Sequence, residues 1–176
     1  DMSLGFCGCL AGVMMGTRCG DIDPAIVTYI MKKTGATPDE MDDIMNMQSG
    51  MLGVSGISSD ARDIEDGCKE GNPAALLTAE VYVNRVINVV GGYYAQLGGA
   101  DAIVFTGGIG ENDTNMRKMI CDRLSVAFGI QLDEELNGKT RGKEVLLSTA
   151  ESKVAVWLIP TNEELMIARD TYRLIA

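Results

Sequence analysis

A chain of 176 residues that is 46% apolar can bury a core of its own, and fifteen basic against twenty-five acidic residues leave a formal charge of −10 that argues against nucleic acid or an anionic membrane as the main partner. With no histidine, imidazole general-base catalysis and histidine metal ligation are excluded within this chain, so carboxylates and arginines must carry any chemistry. Five cysteines (Cys7, Cys9, Cys19, Cys68, Cys121), odd in number and without a Cys-x-x-Cys pair, fit reduced thiols in a cytoplasmic protein; no apolar run approaches the roughly 20 residues of a membrane span, and no signal peptide is visible.

Residues 1–20, rich in glycine and methionine without a period, read as irregular structure around a site or interface. The chain opens on Asp1 rather than methionine, which reads as a piece of something longer. Pro24 suits the first residue of a helix through Lys33 with Asp23 as N-cap, and Thr37-Pro38 opens a second helix to about Asn46, whose Met41, Ile44 and Met45 share a face. Residues 48–60, dense in glycine and serine, read as a loop that is either a hinge or a ligand-contacting segment. From Pro73 to Leu97 runs the longest helical pattern, apolar nearly all round and so expected to be mostly buried, with Gly91-Gly92 as a point of bending. The remainder alternates: strand 102–106, helix 113–128, strand 144–148, strand 153–159 and helix 162–175, the last opened by a Thr161/Glu164 capping box. Such alternation predicts an α/β domain with at least partly parallel pairing.

The most informative stretch is Ile103 to Asn112, where a strand runs into Gly107-Gly108-Ile109-Gly110 and then a helix. Glycines there permit positive φ and close approach of a ligand, and the first N–H groups of a helix favour an anion; a plain strand-to-helix turn explains the glycines equally. A dinucleotide fingerprint fails at Asp113, where a small residue is required, and Gly138-Lys139-Thr140 fails as a P-loop because Asp133 replaces the required glycine. In α/β sheets ligands bind beyond the carboxyl ends of strands, so the loops 106–112 and 161–164 are expected to face one crevice. Glu111 and Glu163 there are candidate carboxylates beside a Mg²⁺-bridged phosphate, Glu163 serving otherwise as helix N-terminal charge. Arg18, between flexible residues, either reaches a transferring phosphoryl group or pairs with Asp21 or Asp23. Asp60 and Arg62 either hydrogen-bond a nucleoside or cap the next segment.

Taken in order, these motifs resemble the acetate kinase family of the actin-like, sugar-kinase-like superfamily. The resemblance is carried by Asp1-Met2-Ser3-Leu4-Gly5-Phe6, Met14 to Pro24, Ser49-Gly50 through Asp60-Ala61-Arg62-Asp63, Phe105 to Asn112, and Ile159 to Glu164. It implies an α/β fold of the ribonuclease H-like (actin-like ATPase) type, incomplete here, with a mainly helical excursion over 20–100 and a strand-helix core over 101–176, the whole of 1–176 being a C-terminal nucleotide-binding domain. The implied reaction is ATP-dependent phosphorylation of a short-chain carboxylate such as acetate to an acyl phosphate and ADP, or the reverse. By resemblance Arg18 stabilises the transferring phosphoryl group, Asp60, Ala61 and Arg62 contact adenosine, Gly108, Ile109, Gly110, Glu111 and Asn112 form the nucleotide loop, and Glu163 is associated with Mg²⁺ or Mn²⁺.

The resemblance also implies a cytoplasmic homodimer when full length, with the Pro73–Leu97 helix contributing to its contacts. Family members are about twice as long, and their N-terminal half supplies the catalytic aspartate, a further arginine, the acyl pocket and a His-Leu-Gly-Asn-Gly loop. This chain alone is therefore expected to be inactive and its sheet to expose an unpaired edge. Two departures stand out: Cys7-Gly8-Cys9-Leu10 where the family has Thr-Pro-Leu, and Ala61 where a larger apolar residue is usual. The alternatives kept beside acetate kinase are a propionate or butyrate kinase of the family and a noncatalytic nucleotide-binding module.

Overall fold

The structure is a computed structural model and describes residues 10–175. The hexapeptide Asp1–Phe6 and the Cys7-Gly8-Cys9 departure lie outside the described residues. The chain divides into two compact units, residues 1–99 and 100–176.

The first unit is helical, and local capping sets where its helices begin. Asp23 Oδ1 accepts from Ala25 N–H and Pro24 opens α1 (Pro24–Thr34). Thr37 and Glu40 form a reciprocal capping box at α2 (Pro38–Met47). Asp60 caps α4 (Ala61–Lys69), and Asn72 caps α5 (Pro73–Leu97) through the N–H groups of Ala74 and Ala75. Between α2 and α4, where the sequence reads as a loop, lies a short helix, α3 (Gly50–Ser55). Its Gly-Ser composition gives it little intrinsic helicity, and long-range bonds described below hold it.

α3 and α4 pack on α5. Gly67 of α4 lies so close to α5 that a Cβ would stand 2.8 Å from the Ala75 methyl, which places glycine at the crossing. The expectation for α5 needs correcting. It runs unbroken through Gly91-Gly92, and only Ala75, Thr78, Ala79 and Val83 are buried, while Leu76 and Leu77 are 45% and 56% exposed. One stripe meets α3 and α4; Val81, Val86, Ile87, Val89 and Val90 are half-buried, and Leu76, Leu77 and Leu97 are exposed among the described residues.

The second unit holds a three-stranded sheet in the order β1-β3-β2, from β1 (Ala102–Phe105), β2 (Val145–Leu146) and β3 (Ala155–Leu158). β1 and β3 are parallel with Phe105 opposite Leu158, and β2 runs antiparallel to β3 with Val145 opposite Leu158. β1 is therefore an edge whose outer side has no partner strand among the described residues, as expected. Between β1 and β2 come α6 (Gly107–Asn112), α7 (Thr114–Phe128) and α8 (Glu134–Lys139). The buried residues of α7, Met116, Arg117, Ile120, Cys121, Leu124 and Phe128, follow helical spacing along one face. They are matched by buried Phe105, Val154, Val156 and Leu158 on the sheet. The final helix α9 (Glu163–Ile175) buries no residue. No helix among the described residues is long and apolar enough to cross a membrane.

Candidate functional site

The predicted site residues fall in two groups, Arg18 with Asp60, Ala61 and Arg62 in the first unit, and Gly108 to Asn112 with Glu163 in the second.

In the first unit the segment 12–21 closes on itself. Gly12 N–H donates to Asp21 Oδ1 and Asp21 N–H donates back to the Gly12 carbonyl, each at 2.8 Å. Arg18 closes an inner turn whose tip is Gly16-Thr17, with Met15 N–H donating to the Arg18 carbonyl at 3.0 Å. Its side chain is exposed, and among the described residues its guanidinium makes no ion pair. The carboxylates weighed as its partners are engaged elsewhere, Asp21 by Gly12 and Asp23 by Ala25.

Asp60 realises the capping alternative. Its Oδ1 accepts from Arg62 N–H at 2.9 Å, and its carboxylate also takes the Arg62 guanidinium through Nε at 3.0 and 3.1 Å. These bonds, the guanidinium first, hold its carboxyl down at about 2. Ala61 and Arg62 are the first residues of α4, Arg62 exposed.

In the second unit the two strand-end loops do converge. Because β1 and β3 are parallel neighbours, their carboxyl ends deliver Thr106 and Thr161 side by side, and the two hydroxyl oxygens are 2.6 Å apart. Glu111 joins the loops: its Oε1 accepts from Gly107 N–H at 2.9 Å and from Thr161 N–H at 2.7 Å. Gly107 N–H is shared with Thr161 Oγ1 at 3.1 Å. The backbone N–H of Thr161 is the main reason the Glu111 carboxyl is held below its usual value. Glu111 is thus a tie between loops, committed to backbone donors.

Two expectations here are corrected. The glycines do not form a separate turn: α6 begins at Gly107, and of the three only Gly107 takes a positive φ, 71°. The Thr161/Glu164 box gives way to Asn162, whose Oδ1 accepts from Leu165 N–H at 3.2 Å, because Thr161 is spent on Thr106 and Gly107. Gly108 and Ile109 follow Gly107 in the first turn of α6, where N–H groups lack intrahelical partners. Asn112 bonds back to the Gly108 carbonyl at 3.0 Å.

Glu163 opens α9 and is exposed. Among the described residues no cluster of three or more acidic or cysteine ligands exists. A single exposed carboxylate fits Mg²⁺ held chiefly by phosphate oxygens and water, and does not fit an all-protein cage. A groove of about 670 Å³ between α1 and α2 is lined by Asp39, Glu40 and Asp43, the wrong charge for a nucleotide phosphate.

Sequence reasoning missed Arg117. It is fully buried, and its guanidinium donates to the Gly110 carbonyl at 2.8 Å, to Asn137 Oδ1 at 2.8 Å, to the Asn137 carbonyl at 3.2 Å and to the Thr140 carbonyl at 2.6 Å. It ties α6 to α8 across α7. The available signal was its place on the same face of α7 as Met116, Ile120 and Cys121, where an exposed arginine would not fall.

The sequence model of the acetokinase family matches residues 1–169. The chain is 52% identical over 175 residues to an acetate kinase of Clostridioides difficile and 54% identical over 175 residues to one of Clostridium novyi, covering 99% of this chain and 43% of each relative. Among solved structures it superposes on acetate kinase of Porphyromonas gingivalis with a TM-score of 0.91 at 45% identity, covering 100% of this chain and 44% of that one. It superposes on a propionate kinase of Francisella tularensis with a TM-score of 0.84 at 38% identity, covering 92% and 40%. The chain therefore spans less than half the length of these relatives, and its mixed sheet and flanking helices fit an incomplete actin-like ATPase domain. On the match over residues 1–169 and the identities above half, this chain belongs to the acetokinase family.

Proposed function

We propose that this chain is the nucleotide-binding part of a kinase that transfers phosphoryl between ATP and acetate, giving acetyl phosphate and ADP, and runs the reverse. The observation that carries the reading is the exposed Arg18 guanidinium, which makes no ion pair among the described residues, on a self-closed loop beside carboxylates that each accept from a backbone N–H. An arginine so presented is available to oxygens that gain charge in phosphoryl transfer. In the forward step a carboxylate oxygen attacks the γ-phosphorus in line, the bond to the β–γ bridging oxygen breaks, and ADP departs. The nucleophile is already an anion, so no proton need be removed and no covalent protein intermediate is required.

Arg18 neutralises the equatorial oxygens. The Asp60–Ala61–Arg62 corner, with Asp60 and Ala61 half-buried and Arg62 exposed, contacts adenosine, small Ala61 offering less stacking surface than a larger residue. The turn Gly108–Asn112 borders the phosphates, and Glu163 would hold Mg²⁺ or Mn²⁺, which would supply positive charge against that of the phosphates. Residues 20–100 form the helical excursion and 101–176 the strand-helix core. The full-length protein acts as a cytoplasmic homodimer, and the uncovered leucines of α5 suit its contact.

Full-length protein carrying this segment, given Mg-ATP and acetate, is expected to form acetyl phosphate, trapped as the hydroxamate, and this chain alone to form none. Arg18→Ala in the full-length protein is expected to lower kcat by orders of magnitude; a loss under about tenfold, or 1.4 kcal/mol, would make Arg18 a bystander. The propionate kinase among the structural neighbours supports a second reading, in which propionate is the better substrate; relative kcat/KM on acetate, propionate and butyrate decides it. Tight Mg-nucleotide binding by the full-length protein with no acyl phosphate from any of the three would leave a noncatalytic module.

A further inference from the structure

α3 is an unlikely helix by composition, yet it sits where the Arg18 loop needs it. Ser49 N–H donates to the Thr17 carbonyl at 2.9 Å, Met51 N–H to the Met15 carbonyl at 2.8 Å and Leu52 N–H to the Gly16 carbonyl at 2.9 Å. The opening turn of α3 thus satisfies three successive carbonyls immediately before Arg18, while Cys19 N–H just after it donates to the Met45 carbonyl at 3.0 Å. The fit requires bare backbone. A Cβ on Gly50, at φ +61°, would stand 2.2 Å from the Met15 carbonyl oxygen and 2.8 Å from that of Arg18. A Cβ on Gly16, whose φ is not positive, would stand 2.6 Å from the Ser59 carbonyl oxygen. Ser59 immediately precedes Asp60, so one loop is braced against both the α3 turn and the Asp60–Arg62 corner.

We infer that Gly50 and Gly16 are positioning residues for Arg18, the α3 turn acting as a backbone cradle that fixes where its guanidinium points. The inference rests on the phosphoryl-transfer reading of Arg18. A displacement on the order of 1 Å at such a group costs about a hundredfold in rate, and a backbone collision at 2.2 Å cannot be relieved by rotating a side chain.

Gly56 provides the control. It too lies in the left-handed region, at φ +63°, but a Cβ there meets nothing within 4 Å. Gly56→Ala carries the conformational strain of Gly50→Ala without the collision. In the full-length protein, G56A is expected to keep kcat within about twofold, whereas G50A lowers it by about a hundredfold with the dissociation constant for Mg-ADP moved by no more than about twofold. Placed in an Arg18→Ala background, G50A is expected to add less than about twofold, because the group it positions is gone. Equal effects of G50A and G56A, or a G50A loss undiminished in the R18A background, would overturn the inference. Thermal melts check that each variant folds; if G50A does not, G16A, free of left-handed strain, enters the same cycle and decides by the same criterion. Wild-type protein without kinase activity would remove the phosphoryl-transfer reading itself. A normal wild type, a crippled R18A and an additive cycle would remove only the cradle.

Discussion

Arg117 offers the sharpest stability test. Arg117→Met keeps a long side chain in the same volume while removing every donor, leaving the carbonyls of Gly110, Asn137 and Thr140 and the Asn137 amide oxygen short of a partner. Hydrogen bonds to a charged group are worth about 1.5–3 kcal/mol each, so the four set a gross loss that cannot be realised in full. Burial of the guanidinium is itself unfavourable, desolvation lowering its proton affinity, and that cost vanishes with it. The net expectation is about 3–5 kcal/mol, from four buried acceptors left unsatisfied at about 1–3 kcal/mol each, less the desolvation recovered with the guanidinium. For the unit of residues 100–176 that corresponds to a fall in Tm of roughly 12–40 °C, read by circular dichroism on this chain. Arg117→Lys retains the charge but offers a compact ammonium where a planar fork reaches three segments, and should recover less than half of the loss. An R117M melt within about 2 °C of wild type would refute the account of Arg117 as the tie between α6 and α8.

Glu111→Gln tests the loop tie through pH. The carboxyl is lowered in the folded state, so its contribution is complete above the ordinary glutamate value of 4.5 and is lost as pH falls through the lowered folded value. The variant should be less stable than wild type at pH 7, with the gap closing in acid; a gap independent of pH would mean that the charge is idle. Burial pushes the Cys121 thiol up to about 12, so it should resist alkylation at pH 8 until the chain unfolds, while half-buried Cys19 and Cys68 label before it; comparable labelling rates by mass spectrometry would contradict the buried face of α7. This chain alone, with the open edge of β1 and exposed Leu165, Met166, Ile167 and Leu174 on α9, should associate as concentration rises. Val104→Lys on β1 should weaken that association in sedimentation velocity, and an unchanged profile would show that the edge takes no part.

Helix starts were legible because their causes are local: Asp23 before Pro24, Thr37 with Glu40, and Asn72 before Pro73 each act within one turn. The convergence of the two strand-end loops followed from parallel pairing, itself implied by the alternation of strands and helices. What failed depended on distant partners. α3 was read as loop because the carbonyls that secure it belong to residues 15–17. Thr161 looked like a capping residue until Thr106 and Glu111 claimed it. The apolar circumference of α5 shows how much surface wants cover, but periodicity says nothing of whether the cover lies in the same chain. The roles proposed for Arg18 and Glu163 rest first on motif order, since an exposed arginine and a first-turn glutamate have ordinary explanations everywhere.

The parallel pairing of β1 with β3 also governs when this half of the site comes into being. Thr106 and Thr161 are 55 residues apart, and a parallel pair has no tight hairpin from which to zip. The chain must close a loop containing α6, α7, α8 and β2 before β1 gains a strand neighbour, the kind of non-local closure that slows folding. Nothing short of that closure joins the two loops, so a nascent chain released before residue 161 presents the Gly107–Asn112 turn with no opposing wall. Protection of the Ile159 and Thr161 amides, bonded to the Phe105 carbonyl and Glu111, should therefore appear together and late, making hydrogen exchange at these two positions a clock for assembly of the crevice.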